Sequence, residues 1–275
     1  MTPYYSGRGI DIYHGDAREI VPHLKFDLAI TSPPYFAQRE YGTDSREIGR
    51  ESDPRTYLAT LVEVTRLMAC GLSRDGSLFV NLGDKMNADG PVKVASVGAG
   101  YPRARRQPRW PGMSLKSLML IPDRYAIACV DQLGLACRAE IVWEQDKGGS
   151  DGKARDRERR AHERIFHFTR RLRHGEATYM AGAPGSSVWH IATSSRRVSH
   201  DADFPLAIPE RIIPRWAPAG GVTLDPFMGS GTVLISALMM GQRAIGIDLE
   251  ERFCEAAASE LERTTPTLPL ALVGG

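Results

Sequence analysis

Short runs of apolar and β-branched residues alternate along this chain with longer stretches whose apolar positions recur every three or four residues. Successive side chains of a strand face opposite ways, whereas a helix returns to one face after three or four positions, so the two patterns separate. They predict strands at 10–13, 28–31, 77–82, 136–143, 163–169, 222–225 and 244–248. Helices are predicted at 54–70, 121–133, 208–216, 231–240 and 252–263. Strand and helix in turn are the signature of a parallel sheet wrapped by helices, an α/β fold. Asp53-Pro54 marks a helix start, because aspartate caps free N–H groups and proline lacks only a donor the first turn does not use. Gly71, Gly134 and Gly241 stand where helices should end. Three stretches break the rhythm: 86–114, rich in Gly, Pro and Arg; 148–160, charged and glycine-bearing; and 171–199, irregular but carrying Tyr179, Trp189 and His190. Long irregular segments in a compact domain are usually functional or disordered. With neither repeat nor linker, 1–275 reads as one domain, with inserts at about 86–114 and 148–199.

Composition adds little, but the distribution of charge adds more. A chain of 275 residues, 42% hydrophobic, can build one large core. The formal net charge is only +2, yet arginine is bunched. Arg103, Arg105, Arg106 and Arg109 form one run; Lys153, Arg155, Arg157, Arg159, Arg160, Arg164, Arg170, Arg171 and Arg173 form another. Either run can contact phosphates, or be a solvated face paired with Asp156, Glu158 and Glu163. The amino terminus has no apolar signal core and no run is long enough to span a bilayer, so a cytoplasmic protein without membrane partners is expected. Cys70, Cys129, Cys137 and Cys254 sit in apolar patterns without a CxxC pair, as reduced, buried thiols would. His162-Glu163 followed by His167 has one residue too many for two ligands on one helix face, so no metal is expected.

Two stretches carry candidate chemistry. Thr31-Ser32-Pro33-Pro34-Tyr35 ends the apolar run at 26–30 with residues that cannot continue a ladder. It is a stiff corner with free carbonyls and an aromatic ring behind them, and a rigid turn that buries a tyrosine is the plain alternative. The second is Asp225-Pro226-Phe227-Met228-Gly229-Ser230-Gly231-Thr232, a strand ending in an acid, then a glycine turn and a helix. An open α/β sheet makes its ligand crevice this way, although glycines also serve purely structural turns. Asp248 ends the next strand about twenty residues on, where a carboxylate can accept ribose hydroxyls. The spacing is neither GxGxxG nor a GK[ST] loop. Two acids bracketing the turn disfavour pyrophosphate and suit a ligand with a ribose and a positive centre, such as S-adenosylmethionine.

Taken together, TSPPY at 31–35, DPFMGSGT at 225–232 and GIDLEERF at 246–253 resemble the motifs of the DNA amino-methyltransferases, in their circularly permuted β-group. His14-Gly15-Asp16, Arg39-Glu40-Tyr41-Gly42 to Ile48-Gly49, the run at 76–84, Ala161-His162-Glu163-Arg164-Ile165-Phe166 and the segment 200–210 fit as well. The resemblance implies a Rossmann-like methyltransferase fold: a mostly parallel open sheet, helices on both faces, and irregular inserts that read DNA. It implies catalytic roles for Ser32, Pro33, Pro34 and Tyr35, with the ring stacked on a base flipped out of the duplex and the acceptors on its amino group. It implies S-adenosyl-L-methionine as cofactor, held by Asp16, Thr31, Phe204, Pro205, Asp225, Pro226, Phe227, Gly229, Ser230, Gly231, Thr232, Asp248 and Leu249. Serine in the first place of SPPY goes with cytosine N4 in the family, and adenine N6 is the alternative. Methylation at a ring carbon would need a cysteine nucleophile after a proline, and none of the four is so placed.

Arg103, Arg105, Arg106, Arg109, Arg196 and Arg197 are the candidate DNA contacts, reading guanine edges or binding phosphates. Expected partners are double-stranded DNA and a companion restriction endonuclease, with the enzyme a monomer or homodimer, bacterial or phage-encoded and associated with the nucleoid. RNA or protein-glutamine methylation is disfavoured by Ser32 and the motif order, a nucleotide-dependent oxidoreductase by the glycine spacing, and an inactive DNA-binding module by the intact motifs.

Overall fold

A computed structural model of the chain describes residues 1–37, 44–89, 107–145, 155–192 and 204–265. Among these described residues nine strands form one sheet: β1 (Tyr5–Gly7), β2 (Ile10–His14), β3 (Phe26–Thr31), β4 (Leu72–Leu82), β5 (Ala136–Glu144), β6 (His162–Thr169), β7 (Val188–His190), β8 (Val222–Asp225) and β9 (Arg243–Asp248). Their spatial order is β1-β2-β9-β8-β3-β4-β6-β5-β7. The helices are α1 (Ala17–Ile20), α2 (Pro54–Gly71), α3 (Ile121–Leu133), α4 (Ala207–Trp216), α5 (Thr232–Met239) and α6 (Glu251–Arg263).

Alternation along the strands divides the core. Leu78, Val80 and Leu82 of β4 and Phe166 and Phe168 of β6 pack with Tyr57, Met68 and Tyr125 of α2 and α3 on one face. Phe79 and Ile165, one position out of phase, join Leu28 and Ile30 of β3 on the other, against Ile208, Ile212, Leu234 and Ala257 of α4, α5 and α6. The helices thus lie on both faces, as expected. Asp53 caps α2 by accepting from Arg55 N–H, with Pro54 in the first turn, and Gly134 ends α3 at φ 66°.

The five strands β2, β9, β8, β3 and β4 run parallel in the centre, while β1 and β6 are antiparallel to their neighbours. The direction of β6 is not visible in its apolar pattern, and it has a consequence: the segment entering β6 at 155–161 lies at the edge where β4 ends. Two further departures concern side chains. Cys129 and Cys254 are buried, but Cys70 and Cys137 are exposed, correcting the expectation of four buried thiols. Trp189 and part of the irregular 171–199 stretch belong to the core, because β7 adds Trp189 to the sheet beside Trp143. No helix among the described residues is long and apolar enough to cross a membrane.

Strands β3 and β8 are neighbours, and their following helices leave on opposite faces, α2 on one and α5 on the other. Strand order reverses there, and in an open α/β sheet that is where a crevice opens beyond the carboxyl ends.

Candidate active site

The crevice is built from the segments that leave the carboxyl ends of β3, β8 and β9. The register pairs Ala29 with Leu224, so Asp225 ends β8 level with Ile30, beside Thr31. Asp225 pairs with Gly246 and His14 with Asp248, which brings the ends of β2, β9, β8 and β3 to one edge. The diproline corner and the glycine turn therefore overhang the same edge from adjacent strands. Both sequence-predicted halves of the site are together.

The glycine turn is stitched down by its acids. Asp248 accepts from Gly229 N–H through one carboxylate oxygen at 2.9 Å and from Glu250 N–H through the other at 2.9 Å. Asp225 accepts from Phe227 N–H at 3.1 Å. Met228 N–H donates to Ile247 carbonyl at 3.0 Å, and Gly231, at φ 85°, opens α5. A side chain on Gly231 would meet Ala257 Cβ at 2.9 Å, so this position is held by contact as well as by its left-handed backbone. Burial pushes Asp225 up to about 7, against the pull of the Thr31 hydroxyl and Phe227 N–H, and pushes Asp248 up to about 6. Neither acid has an ion-pair partner among the described residues.

The other predicted residues fall around this turn. Pro226 and Thr232 are buried, while Phe227, Ser230 and Leu249 are half-buried. Phe204 and Pro205 lead into α4, which returns toward the start of β8, so they lie near the same edge. Asp16 caps α1 and gives both carboxylate oxygens to Arg18, at 2.5 to 3.1 Å. That bidentate pair leaves its carboxylate far less available than those of Asp225 and Asp248.

In the corner, Pro33 is buried and Pro34 and Tyr35 are half-buried. Tyr57 of α2 donates its hydroxyl to Pro34 carbonyl at 2.9 Å. Tyr35 donates to Glu163 Oε2 of β6 at 2.5 Å, and Asn81 of β4 donates to Tyr35 oxygen at 2.7 Å and to the same carboxylate oxygen at 2.8 Å. Burial, then the charge and hydrogen bond of Glu163, hold the Tyr35 phenol well above its usual range, so it stays a donor. The ring lies against the backbone of β4's end: a Cβ on Gly83 would sit 2.8 Å from Tyr35 Cε2. Asn81, Gly83 and Glu163 stand in the sequence inside family-like segments without assigned roles, and nothing in the sequence marks Tyr57. Their spacing from Tyr35 carries no periodic signal, since only the folded sheet joins them.

Of the candidate DNA contacts, Arg109 is half exposed, with Asp89 at 3.9 Å. Arg103, Arg105, Arg106, Arg196 and Arg197 lie outside the described residues. No group of three or more His, Cys, Asp or Glu among the described residues is arranged to hold a metal ion.

A family model described as DNA methylase, for the N6 and N4 amino-methylating enzymes, matches residues 26–259. The chain belongs to this family. It is 31% identical over 271 residues to the type II methyltransferase M.SmaI of Serratia marcescens, covering 93% of this chain and 92% of that protein. M.XycI of Xanthomonas campestris pv. cyanopsidis is 30% identical over 268 residues, 93% of this chain and 88% of its own. Among solved structures, PvuII DNA methyltransferase (cytosine-N4-specific) superposes with a TM-score of 0.71 at 17% identity, over 94% of this chain and 88% of that one. M1.HpyAVI in complex with SAM superposes at 0.59 and 19% identity, over 92% of this chain and 99% of its own. These likenesses establish the Rossmann-like methyltransferase fold read from the motifs.

Proposed function

We propose that this chain transfers a methyl group from S-adenosylmethionine to the exocyclic N4 of a cytosine flipped out of double-stranded DNA. The observation that carries the reading is the overhang of the diproline corner and the glycine turn on one sheet edge. The turn fits that cofactor: a side chain on Gly229 would meet nothing within 4 Å, so the backbone is open to a close approach. Two acids raised by burial, neither in an ion pair among the described residues, suit a ligand that brings ribose hydroxyls and positive charge. Asp225, Asp248 and the backbone of 226–232 form the holding set, with Thr31, Phe204, Pro205 and Leu249 as its walls and Asp16 contributing mainly through its pairing with Arg18. The bound cofactor supplies an electrophilic methyl group on a sulfonium.

The chain's own residues aim the nucleophile. Tyr35 presents a ring face on which an extruded base can stack, at the cost of a few kcal/mol of unstacking in the duplex. Ser32 hydroxyl and Pro33 carbonyl accept from the amino group, drawing its lone pair out of conjugation and holding it in line. Among the described residues the Pro33 carbonyl has no hydrogen-bond donor, whereas that of Pro34 accepts from Tyr57. Serine in the first position, and the cytosine-N4 specificity of the structurally similar PvuII methyltransferase, favour cytosine over adenine N6. The insert at 86–114 and the part of the second insert that precedes β6, 148–161, would read the target, with Arg109 among the contacts, and likeness to a type II methyltransferase favours a companion endonuclease. Incubating the enzyme with genomic DNA and labelled cofactor, then separating nucleosides by mass, should yield N4-methylcytosine. N6-methyladenine would move the assignment to adenine, and label in neither would reject both.

A further inference from the structure

Hydroxyls are ambiguous: serine and tyrosine each donate and accept, and their protons rotate to suit the neighbours, whereas a carboxylate only accepts. At the corner this ambiguity is removed from one end. Glu163 Oε2 lies 2.5 Å from Tyr35 oxygen, so the phenol donates there. The phenol oxygen is then left as an acceptor, facing Asn81 Nδ2 at 2.7 Å and Ser32 Oγ at 3.4 Å. Asn81 turns its NH₂ toward the carboxylate at 2.8 Å although this leaves its own buried carbonyl without a partner. The opposite orientation would set that oxygen against Glu163, so the charge dictates the amide as well. Ser32 accepts weakly from Asn81 at 3.4 Å and points its proton at Tyr35, and one lone pair stays open.

We infer that Glu163 is a positioning residue for the transfer: it fixes a donor chain from Ser32 through Tyr35 to its carboxylate, so that Ser32 meets the base as an acceptor. This rests on the assignment of Ser32 and Tyr35 to the target base. The polarity matters because an exocyclic amino group offers N–H donors, while the oxygen that thymine carries at the same ring position offers only lone pairs. Glu163 thereby selects an amino-bearing base through Tyr35 and Ser32, and pins the stacking ring by its hydroxyl.

The test compares wild type, Glu163→Gln, Tyr35→Phe and the double variant in single-turnover methylation, with KM for DNA, cofactor Kd and Tm measured on each. A neutral amide can turn either end to Tyr35, so Glu163→Gln should slow the transfer step on the order of tenfold or more with KM, Kd and Tm unchanged. Tyr35→Phe should do the same. The double variant should be no slower than the slower single, because both break one chain. Wild-type rates in Glu163→Gln, or rate losses that multiply in the double variant, would overturn the inference, as would losses that merely follow a lowered Tm. If Glu163→Gln does not fold, Tyr35→Phe decides alone: it lacks one oxygen, and an unchanged rate would sink the chain. Wild-type enzyme is the control for the underlying assignment. Should it methylate no amino base, that assignment fails and the inference with it; if it does so and Glu163→Gln matches it, only the inference fails.

Discussion

A single missing methyl group at Gly83 shows how closely the diproline corner is packed. The Cα of Gly83 supports the Tyr35 ring, and a Cβ there would come within 2.8 Å of Cε2, a distance no pair of carbons tolerates. The ring is the softer partner and would tilt. We expect Gly83→Ala to reduce turnover by about tenfold or more while cofactor affinity, assigned in the proposed function to the neighbouring turn, stays within about twofold. Parallel rate assays and calorimetry check this, and equal losses in both would show that the ring and the cofactor site are not separable. The same division predicts that Tyr35→Ala or Pro33→Ala cripples turnover with cofactor binding kept, and that Asp248→Ala does the reverse. Asp248→Ala also removes the acceptor of Gly229 N–H, so the turn itself loosens.

Elements, more than residues, set the angle of the corner and the charge of the crevice. Helix α2 packs against the sheet and holds Pro34 by the Tyr57 hydroxyl, itself on a side chain only 1% exposed. Tyr57→Phe strands that carbonyl, which should cost about 1–3 kcal/mol of stability and slow transfer, read by Tm and single-turnover rate. The ends of β8 and β9 place two acids that titrate in a usable range, at about 7 and about 6. A cationic cofactor favours their charged forms. Affinity should therefore rise with pH through 6 to 7, falling by about tenfold per pH unit below the range for each acid that must ionise, and binding should release protons. Calorimetry in buffers of differing ionisation enthalpy measures that release. Asp225→Asn should flatten the upper part of the curve, and an unchanged curve would remove Asp225 from the site. Much of this is legible in the sequence: a strand ending in Asp225, two glycines and a second strand ending in Asp248 is a local pattern that turn chemistry explains. The Tyr57 and Glu163 contacts are not, because they join residues 23 and 128 positions apart and depend on which strand lies beside which. Short elements such as β1 and α1, of three and four residues, are too brief to show a period.

At the scale of the whole molecule the second arginine run divides in two. It reads as one basic patch from 153 to 173, but β6 spans its middle, and eight residues of strand separate the ends by roughly 23 Å. Because β6 runs against β4, exposed Arg155 and Arg159 come to the edge that carries the candidate site, near the loop after β4, where Lys116 pairs with Asp156 at 2.7 Å. Arg171 and Arg173 emerge at the opposite edge, with Arg74 and Glu176. Within the strand, Arg164 is committed to Asp123 and Glu140, and just past its end Arg170 is committed to Leu72 carbonyl. Charge pattern alone could not separate these roles, since the sequence does not state the direction of β6. The division makes a paired prediction for DNA binding. Removing one arginine that neutralises a phosphate should reduce the steepness of the fall of log K with log salt by about 0.9, so Arg155→Ala with Arg159→Ala should reduce it by about 2 and Arg109→Ala by about 1. Arg171→Ala with Arg173→Ala should leave the slope where it was, since the proposed function, with a base entering between Tyr35 and the glycine turn, lays the duplex against the edge of the candidate site. Titrating a labelled duplex at several salt concentrations distinguishes the two pairs. If the far pair carried the salt dependence instead, the DNA would have to cross the edge where β4 begins, away from the corner at Pro33.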